Sequence, residues 1–222
     1  MSAYILMKIL ESGPQRYDRW MRILTCGRID RVNNRLAENI KKGWRVIDIG
    51  SGTGALTVRA AEKGAAVTAI DINPEMMEIA RKRAAEKNLL KKIDFREMGV
   101  AELGRVESSS YDAVISGLCF SELTENELDY ALRECERILK TGGLLIVADE
   151  VQPDGLIRKI LTKIIRFPMF ILTFVITGSV TWALDNLESK VIENGFSIKS
   201  VRLNSMENFI ELIAEKPGEK KK

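Results

Sequence analysis

The chain of 222 residues is long enough for one α/β domain with its own core and short for two. Its 34 basic and 31 acidic residues nearly cancel to a net charge of +3, which gives no case for nucleic acid as a partner. A hydrophobic share of 45% beside 29% charged residues excludes disorder for most of the length.

Lys8 and Glu11 interrupt the apolar patches near the N-terminus before a signal-peptide core could form, so no export is expected. The three cysteines, Cys26, Cys119 and Cys135, lack the close pairing of a zinc site or a redox dithiol, and the expected compartment is a reducing cytoplasm. Residues 1 to about 43 read as two or three short helices, closed by Lys41-Lys42-Gly43. Arg45 to Ile49 follows as a first strand, apolar on both faces as a central parallel strand must be. A helix is predicted from about Gly54 to Lys63, with Thr53 as its N-cap and Gly64 as its stop. The second strand is Ala66 to Ile70, and Asn73-Pro74 opens a helix whose apolar stripe is Met77, Ala80 and Ala84. Ile93 to Glu97 is a third strand, Gly99 to Leu103 a loop and short turn, and Tyr111 to Ser116 a fourth strand. Thr124-Glu125-Asn126-Glu127 is a capping box, and its helix carries Leu128, Leu132, Cys135 and Leu139 on one face. After a turn at Lys140 to Gly143, Leu144 to Ala148 is a fifth strand that ends in Asp149-Glu150.

From Asp154 the pattern changes to a basic amphipathic helix with Leu156, Ile157, Ile160, Leu161, Ile164 and Ile165 on one face. The apolar run from Phe167 to Thr177 has eleven residues, too few to span a bilayer at about 20 residues per crossing. A helix from Leu184 to Glu193 and two strands, Ser197 to Leu203 and Asn208 to Glu215, complete the sheet, and Pro217 to Lys222 reads as a frayed tail.

Chemistry concentrates in Val46-Ile47-Asp48-Ile49-Gly50-Ser51-Gly52-Thr53-Gly54, with Asp71 ending the neighbouring strand. Glycines at alternate positions let the backbone turn sharply after a buried strand and bring loop amides against a ligand. A carboxylate at Asp71 can accept hydrogen bonds from both ribose hydroxyls, which points to an adenosine-containing cofactor. Gly50-x-Gly52-x-x-Ala55 also satisfies the dinucleotide fingerprint, so the loop alone leaves NAD(P) and S-adenosylmethionine both open. Some forty helical residues ahead of the first strand, and a chain that ends soon after one sheet, favour S-adenosylmethionine.

Val46 to Gly54, Asp71, Tyr111-Asp112-Ala113-Val114 and Leu139-Lys140-Thr141-Gly142-Gly143-Leu144 resemble the successive motifs of class I S-adenosylmethionine-dependent methyltransferases, across roughly residues 44 to 150. The resemblance implies a Rossmann-like, doubly wound sheet of order 3-2-1-4-5-7-6 with strand seven antiparallel, in a single domain with N-terminal helices and a hydrophobic helical insert. By position, Asp48, Gly50, Ser51, Gly52, Thr53 and Gly54 would surround the methionine part of the cofactor, Asp71 the ribose, and Ile72 one face of the adenine. Val100-Ala101 lies where many members carry an acid for the adenine amine, so the backbone there would substitute. Ser116 is also placed at the cofactor.

Methyl transfer from a sulfonium needs alignment more than covalent help. Without histidine, Glu122 and Glu150 are the candidate bases, and Ser116, Cys119, Ser121 and Asp149 stand at the same strand ends. Tyr17-Asp18-Arg19-Trp20 resembles the cofactor-covering element of the ubiquinone and menaquinone C-methyltransferases, which would make Tyr17 and Trp20 lid residues; packing the N-terminal helices is the alternative. Phe167 and Phe170 would line a hydrophobic acceptor lid, and residues 156–177 could instead lie on an anionic membrane or pack on the sheet. Over its full length the chain also resembles methyltransferases associated with corrinoid proteins. The expected acceptor is therefore a hydrophobic small molecule or a partner protein such as a corrinoid carrier. An NAD(P)-dependent oxidoreductase and a catalytically silent S-adenosylmethionine-binding protein are the rival functions.

Overall fold

The computed structural model describes residues 27–153 and 183–218. Its strands are β1 (Arg45–Ile49), β2 (Ala66–Asp71), β3 (Ile93–Glu97), β4 (Tyr111–Gly117), β5 (Leu139–Glu150), β6 (Ser197–Leu203) and β7 (Phe209–Glu215). They form one sheet in the order β3-β2-β1-β4-β5-β7-β6. β1 to β5 pair in parallel, whereas β7 runs antiparallel to both β5 and β6. The expected architecture is the one observed.

The helices are α1 (Arg28–Glu38), α2 (Ala55–Glu62), α3 (Pro74–Glu86), α4 (Glu125–Ile138) and α5 (Leu187–Glu193). Strand side chains alternate between faces, so each central strand feeds two cores. In β1, Val46 packs toward α1, α2 and α3, while Ile47 and Ile49 pack toward α4 and α5. All three are fully buried, and each contributes on the order of 2 kcal/mol by leaving water. The same alternation turns Asp48 toward α2, where it is buried and accepts the Thr57 hydroxyl.

Local signals set most boundaries. Asn73 caps α3 by accepting the amides of Glu75 and Met76, with Pro74 at the first helical position. Thr124 and Glu127 form the capping box that starts α4. Thr53, expected as the cap of α2, does not cap it. Gly54 takes that position in a left-handed conformation, with no side-chain cap bond. The turn expected at Lys140 to Gly143 is instead the opening of β5, because the amide of Gly142 and the carbonyl of Gly143 both bond Lys216 beyond β7. Leu139 accordingly leaves the α4 face and starts that strand. α1 stops at Glu38, capped at Asn39, several residues before Lys41-Lys42-Gly43. α5 begins at Leu187, since Leu184 is drawn into a bridge with Val151.

Arg35 on α1 makes a two-pronged ion pair with Glu211 on β7. Arg59 on α2 bonds Asp30 and Asn34 of α1. These contacts hold α1 across the sheet beside the carboxyl ends of its strands. Among the described residues, no helix is long and apolar enough to cross a membrane. The expected helices before residue 27, the lid or membrane segment 156–177 and the tail beyond 218 lie outside the described residues, as do Tyr17, Trp20, Phe167 and Phe170.

Candidate functional site

A cleft of about 960 Å³ opens over the carboxyl ends of β1, β2 and β4. Parallel sheets of this winding hold ligands at that end, where neighbouring strands send their connections to opposite faces. Asp48, Gly50, Ser51, Gly52 and Thr53 line it from the β1 turn, Asp71 and Ile72 from β2, and Val100, Cys119 and Glu122 from the turns after β3 and β4.

The three glycines have positive φ angles of 69°, 51° and 74°, but their surroundings differ. A Cβ on Gly50 would lie 2.4 Å from the side chain of Cys119, and one on Gly54 would lie 2.8 Å from the Cβ of Ala80. A Cβ on Gly52 would meet nothing within 4 Å. Gly50 and Gly54 therefore serve close packing, and Gly52 faces the open cradle. Asp71 anchors that cradle: its Oδ2 accepts the Gly52 amide at 2.7 Å and its Oδ1 the Asn73 amide at 2.8 Å. Each carboxylate oxygen retains lone-pair capacity for a further donor.

Ile72 is 74% exposed beside the backbone of Gly99, where a side chain would come within 2.9 Å of its Cγ2. An exposed apolar side chain of this kind, facing a glycine across a cleft, offers a flat surface to an aromatic ring.

Carboxyl groups gather near the glycine turn, with Arg83 bonded to Thr53 beside them. Burial pushes the Asp48 carboxyl up to about 7, with a further rise from Asp71, against the opposing hydrogen bond from the Thr57 hydroxyl. Burial also pushes Asp149 up to about 6, although it accepts the amides of Ser121 and Glu150. The Cys119 thiol stands well above its ordinary value because it is desolvated and because the negative charges of Glu122, Asp149, Asp71 and Asp48 add to the rise. Such a thiol is a poor nucleophile. Asp48, Asp71 and Glu122 all line the cleft at this end of the sheet.

Three residues expected at the site are not among the described residues that line the cleft. Ser116 is fully buried with its hydroxyl donating to the Ile49 carbonyl at 2.9 Å, so it ties β4 to β1. Ala101 faces outward on the 3-10 turn Val100–Arg105, and Glu150 pairs with Phe209 along β7; neither lines the cleft. Ser51 and Thr53 line it chiefly with backbone, since the Ser51 hydroxyl turns to the Met77 sulfur and that of Thr53 receives Arg83.

Sequence reasoning missed an apolar corner in which Leu118, at φ 61°, gathers Ile29 and Phe209. A bulky residue in the left-handed region is strained, and such strain concentrates at functional sites. It also missed Asn33, which lines the cleft from α1. A signal for Asn33 existed: it is a polar residue spaced four from both Ile29 and Ala37, on the apolar stripe of a helix.

Residues 46–143 match the family described as methyltransferase domain. The ubiquinone biosynthesis O-methyltransferase of Xanthomonas oryzae pv. oryzae (strain PXO99A) is 36% identical over 138 residues, covering 61% of this chain and 53% of that protein. The ubiquinone/menaquinone biosynthesis C-methyltransferase of Rhodopseudomonas palustris (strain TIE-1) is 33% identical over 138 residues, covering 53% of each. The chain thus spans about half the length of the curated relatives it matches. Among solved structures, an O-methyltransferase family protein from Burkholderia thailandensis superposes with a TM-score of 0.71 at 16% identity, over 94% of this chain and 60% of that one. The cyclase SpnF gives 0.67 at 21% identity, over 85% and 81%. At such identities the likeness is one of fold, and a cyclase on the same fold means that architecture alone does not assign a reaction. Residues 46–143 thus match a methyltransferase domain, and the strand order around them is the one that the resemblance to class I S-adenosylmethionine-dependent methyltransferases implies.

Proposed function

We propose that the chain transfers a methyl group from S-adenosylmethionine to a hydrophobic small molecule. The observation that carries this reading is Asp71 at the end of β2, which holds the Gly52 amide of the open glycine turn and lines the same cleft as Glu122. The carboxylates of Asp71 and Glu122 attract a sulfonium. The open cradle at Gly52 fits the methionine part, the remaining capacity of Asp71 fits the ribose, and Ile72 with the backbone of Val100 fits the adenine. Bound there, the cofactor supplies an activated methyl whose leaving group is a neutral thioether.

The chain's own part is alignment and proton removal. Glu122, in the turn after β4, lines the cleft, and it takes the role of base for an acidic acceptor hydroxyl. Ile29 and Leu118, packed with Phe209, give the cleft an apolar wall. An alkylated phenol or catechol suits such a wall, in keeping with the quinone-biosynthesis names of the relatives. The test is transfer of a labelled methyl from S-adenosylmethionine to decylcatechol. Label in the extracted organic phase, lost in Glu122→Gln, supports the reading. Label recovered only on an added corrinoid protein reassigns the acceptor, and oxidation of NAD(P)H overturns the reading.

A further inference from the structure

Asp149, at the end of β5, is a fully buried carboxyl group outside the lining of the cleft. Alternation along the strand turns it to the side of Leu145 and Val147, the face that α4 covers. Among the described residues no lysine or arginine pairs with it. A carboxyl group held out of water without a cation is costly unless its oxygens are bonded. Both are bonded, and by backbone amides: Oδ1 accepts that of Glu150 at 2.7 Å, and Oδ2 accepts that of Ser121 at 3.1 Å.

The Ser121 amide belongs to the turn that leaves β4 and brings Leu118, Cys119 and Glu122 to the cleft. Two bonds reach this turn from the end of β5. The Leu118 amide donates to the Ala148 carbonyl at 2.8 Å, and the Ser121 amide donates to Asp149. The backbone bonds within the turn are local, from Glu122 to Cys119 and from Leu123 to Phe120, so they shape it without fixing its place on the sheet. Leu118 holds a φ of 61°, a conformation costly for leucine that contacts from outside the turn must maintain. Buried Phe120 anchors the apolar side of the turn, and Asp149 tethers its polar side.

We propose that Asp149 is a positioning residue for the acceptor step: by holding the Ser121 amide, it sets the place of the neighbouring Glu122 carboxylate in the cleft. The inference rests on the reading of Glu122 as the base. Asp149 touches neither cofactor nor acceptor, and it acts through one backbone bond on the residue beside that base. A catalytic group displaced by about 1 Å can lose on the order of a hundredfold in rate, so a firm tether has a large effect on turnover. An ionised carboxylate accepts two amides more strongly than a neutral group does, which gives the buried acid its use. Asparagine at this position would keep one amide bonded and turn its own N–H groups toward the other.

The test uses the full chain with Asp149→Asn, alone and combined with Glu122→Gln, in labelled-methyl transfer from S-adenosylmethionine to decylcatechol. Asp149→Asn is expected to lower kcat about tenfold or more while Kd for S-adenosylhomocysteine stays within about twofold, a split that general loosening of the fold would not give. Amide hydrogen exchange over residues 118–122 should quicken about tenfold as the tether is lost. In the Glu122→Gln background the same substitution should change the residual rate by less than about twofold, because a base already removed cannot be misplaced. An equal fall in both backgrounds overturns the proposal, as does a loss of S-adenosylhomocysteine affinity that matches the loss of kcat. Unchanged exchange at the turn overturns it whatever the acceptor. A parent chain that binds S-adenosylhomocysteine yet methylates no catechol instead removes the acceptor reading on which the inference rests, so the two failures are told apart.

Discussion

The carboxylate of Asp71, at the end of β2, holds the amide of Gly52, in the turn that follows β1, at 2.7 Å. One side chain therefore shapes the cradle and faces the ligand in it. Asp71→Ala is expected to weaken S-adenosylhomocysteine binding by about 1.5 to 3 kcal/mol and to lower unfolding stability by about 1 to 2 kcal/mol, because loop and ribose both lose an acceptor. Titration calorimetry and urea unfolding measure the two effects. A changed stability with an unchanged dissociation constant would remove the ribose from Asp71.

Substitutions at Gly50 and Gly52 should part company. Gly50→Ala drives a methyl to within 2.4 Å of Cys119 and should destabilise the chain by about 3 kcal/mol or more. The double variant Gly50→Ala with Cys119→Gly recovers the steric share of that loss and not the strain of the positive φ. Gly52→Ala meets no neighbour, so its stability cost is limited to about 1 to 2 kcal/mol of backbone strain. Its main effect is on the ligand, whose space the methyl would fill. Thermal melts and cofactor titration of the three variants separate the two roles.

Buried acids give stability a pH dependence of definite sign. Asp48 titrates near 7 in the folded chain and near 3.8 when unfolded, so between those values the folded state holds a proton that the unfolded state has lost. Stability from this group is greatest below pH 4 and declines as pH rises to about 7, by up to about 4 kcal/mol. Asp48→Asn, which can still accept the Thr57 hydroxyl, should flatten that slope and leave the chain about 2 to 4 kcal/mol more stable than the parent at pH 8. Asp149 keeps a smaller slope of the same sign up to about pH 6. Urea unfolding at pH 5 and pH 8 decides it, and an identical slope in both proteins would contradict the assignment.

Ile72 offers a cleaner separation of binding from folding. Being 74% exposed, it can be changed to serine with less than about 0.5 kcal/mol of stability lost, whereas an adenine resting on it should lose about 0.5 to 1.5 kcal/mol of affinity. Equal cofactor affinity in Ile72→Ser would free the adenine from that wall.

What the sequence revealed tracks how local each determinant is. β3 was legible to its ends, and the caps at Asn73 and Thr124 were legible because the partner amides lie two or three residues away. The start of β5 was not, since Gly142 and Gly143 are held by Lys216 from the far side of β7. Thr53 looked like a cap by residue type, but the left-handed Gly54 leaves no room for that role. Within the site, Asp48 and the glycines follow from one continuous motif, and Asp71 from the end of the next apolar run. Ser116 did not separate from them, because only the pairing of β4 with β1 reveals the Ile49 carbonyl that takes its hydroxyl. Asn33 depended on knowing that α1 lies against α2 at the cleft.

The most direct measurement is calorimetric titration of the chain with S-adenosylhomocysteine and, separately, with NADH. The account predicts saturable one-to-one binding of S-adenosylhomocysteine, weakened by Asp71→Ala, and no heat of binding from NADH. Binding of NADH with none of S-adenosylhomocysteine would contradict it.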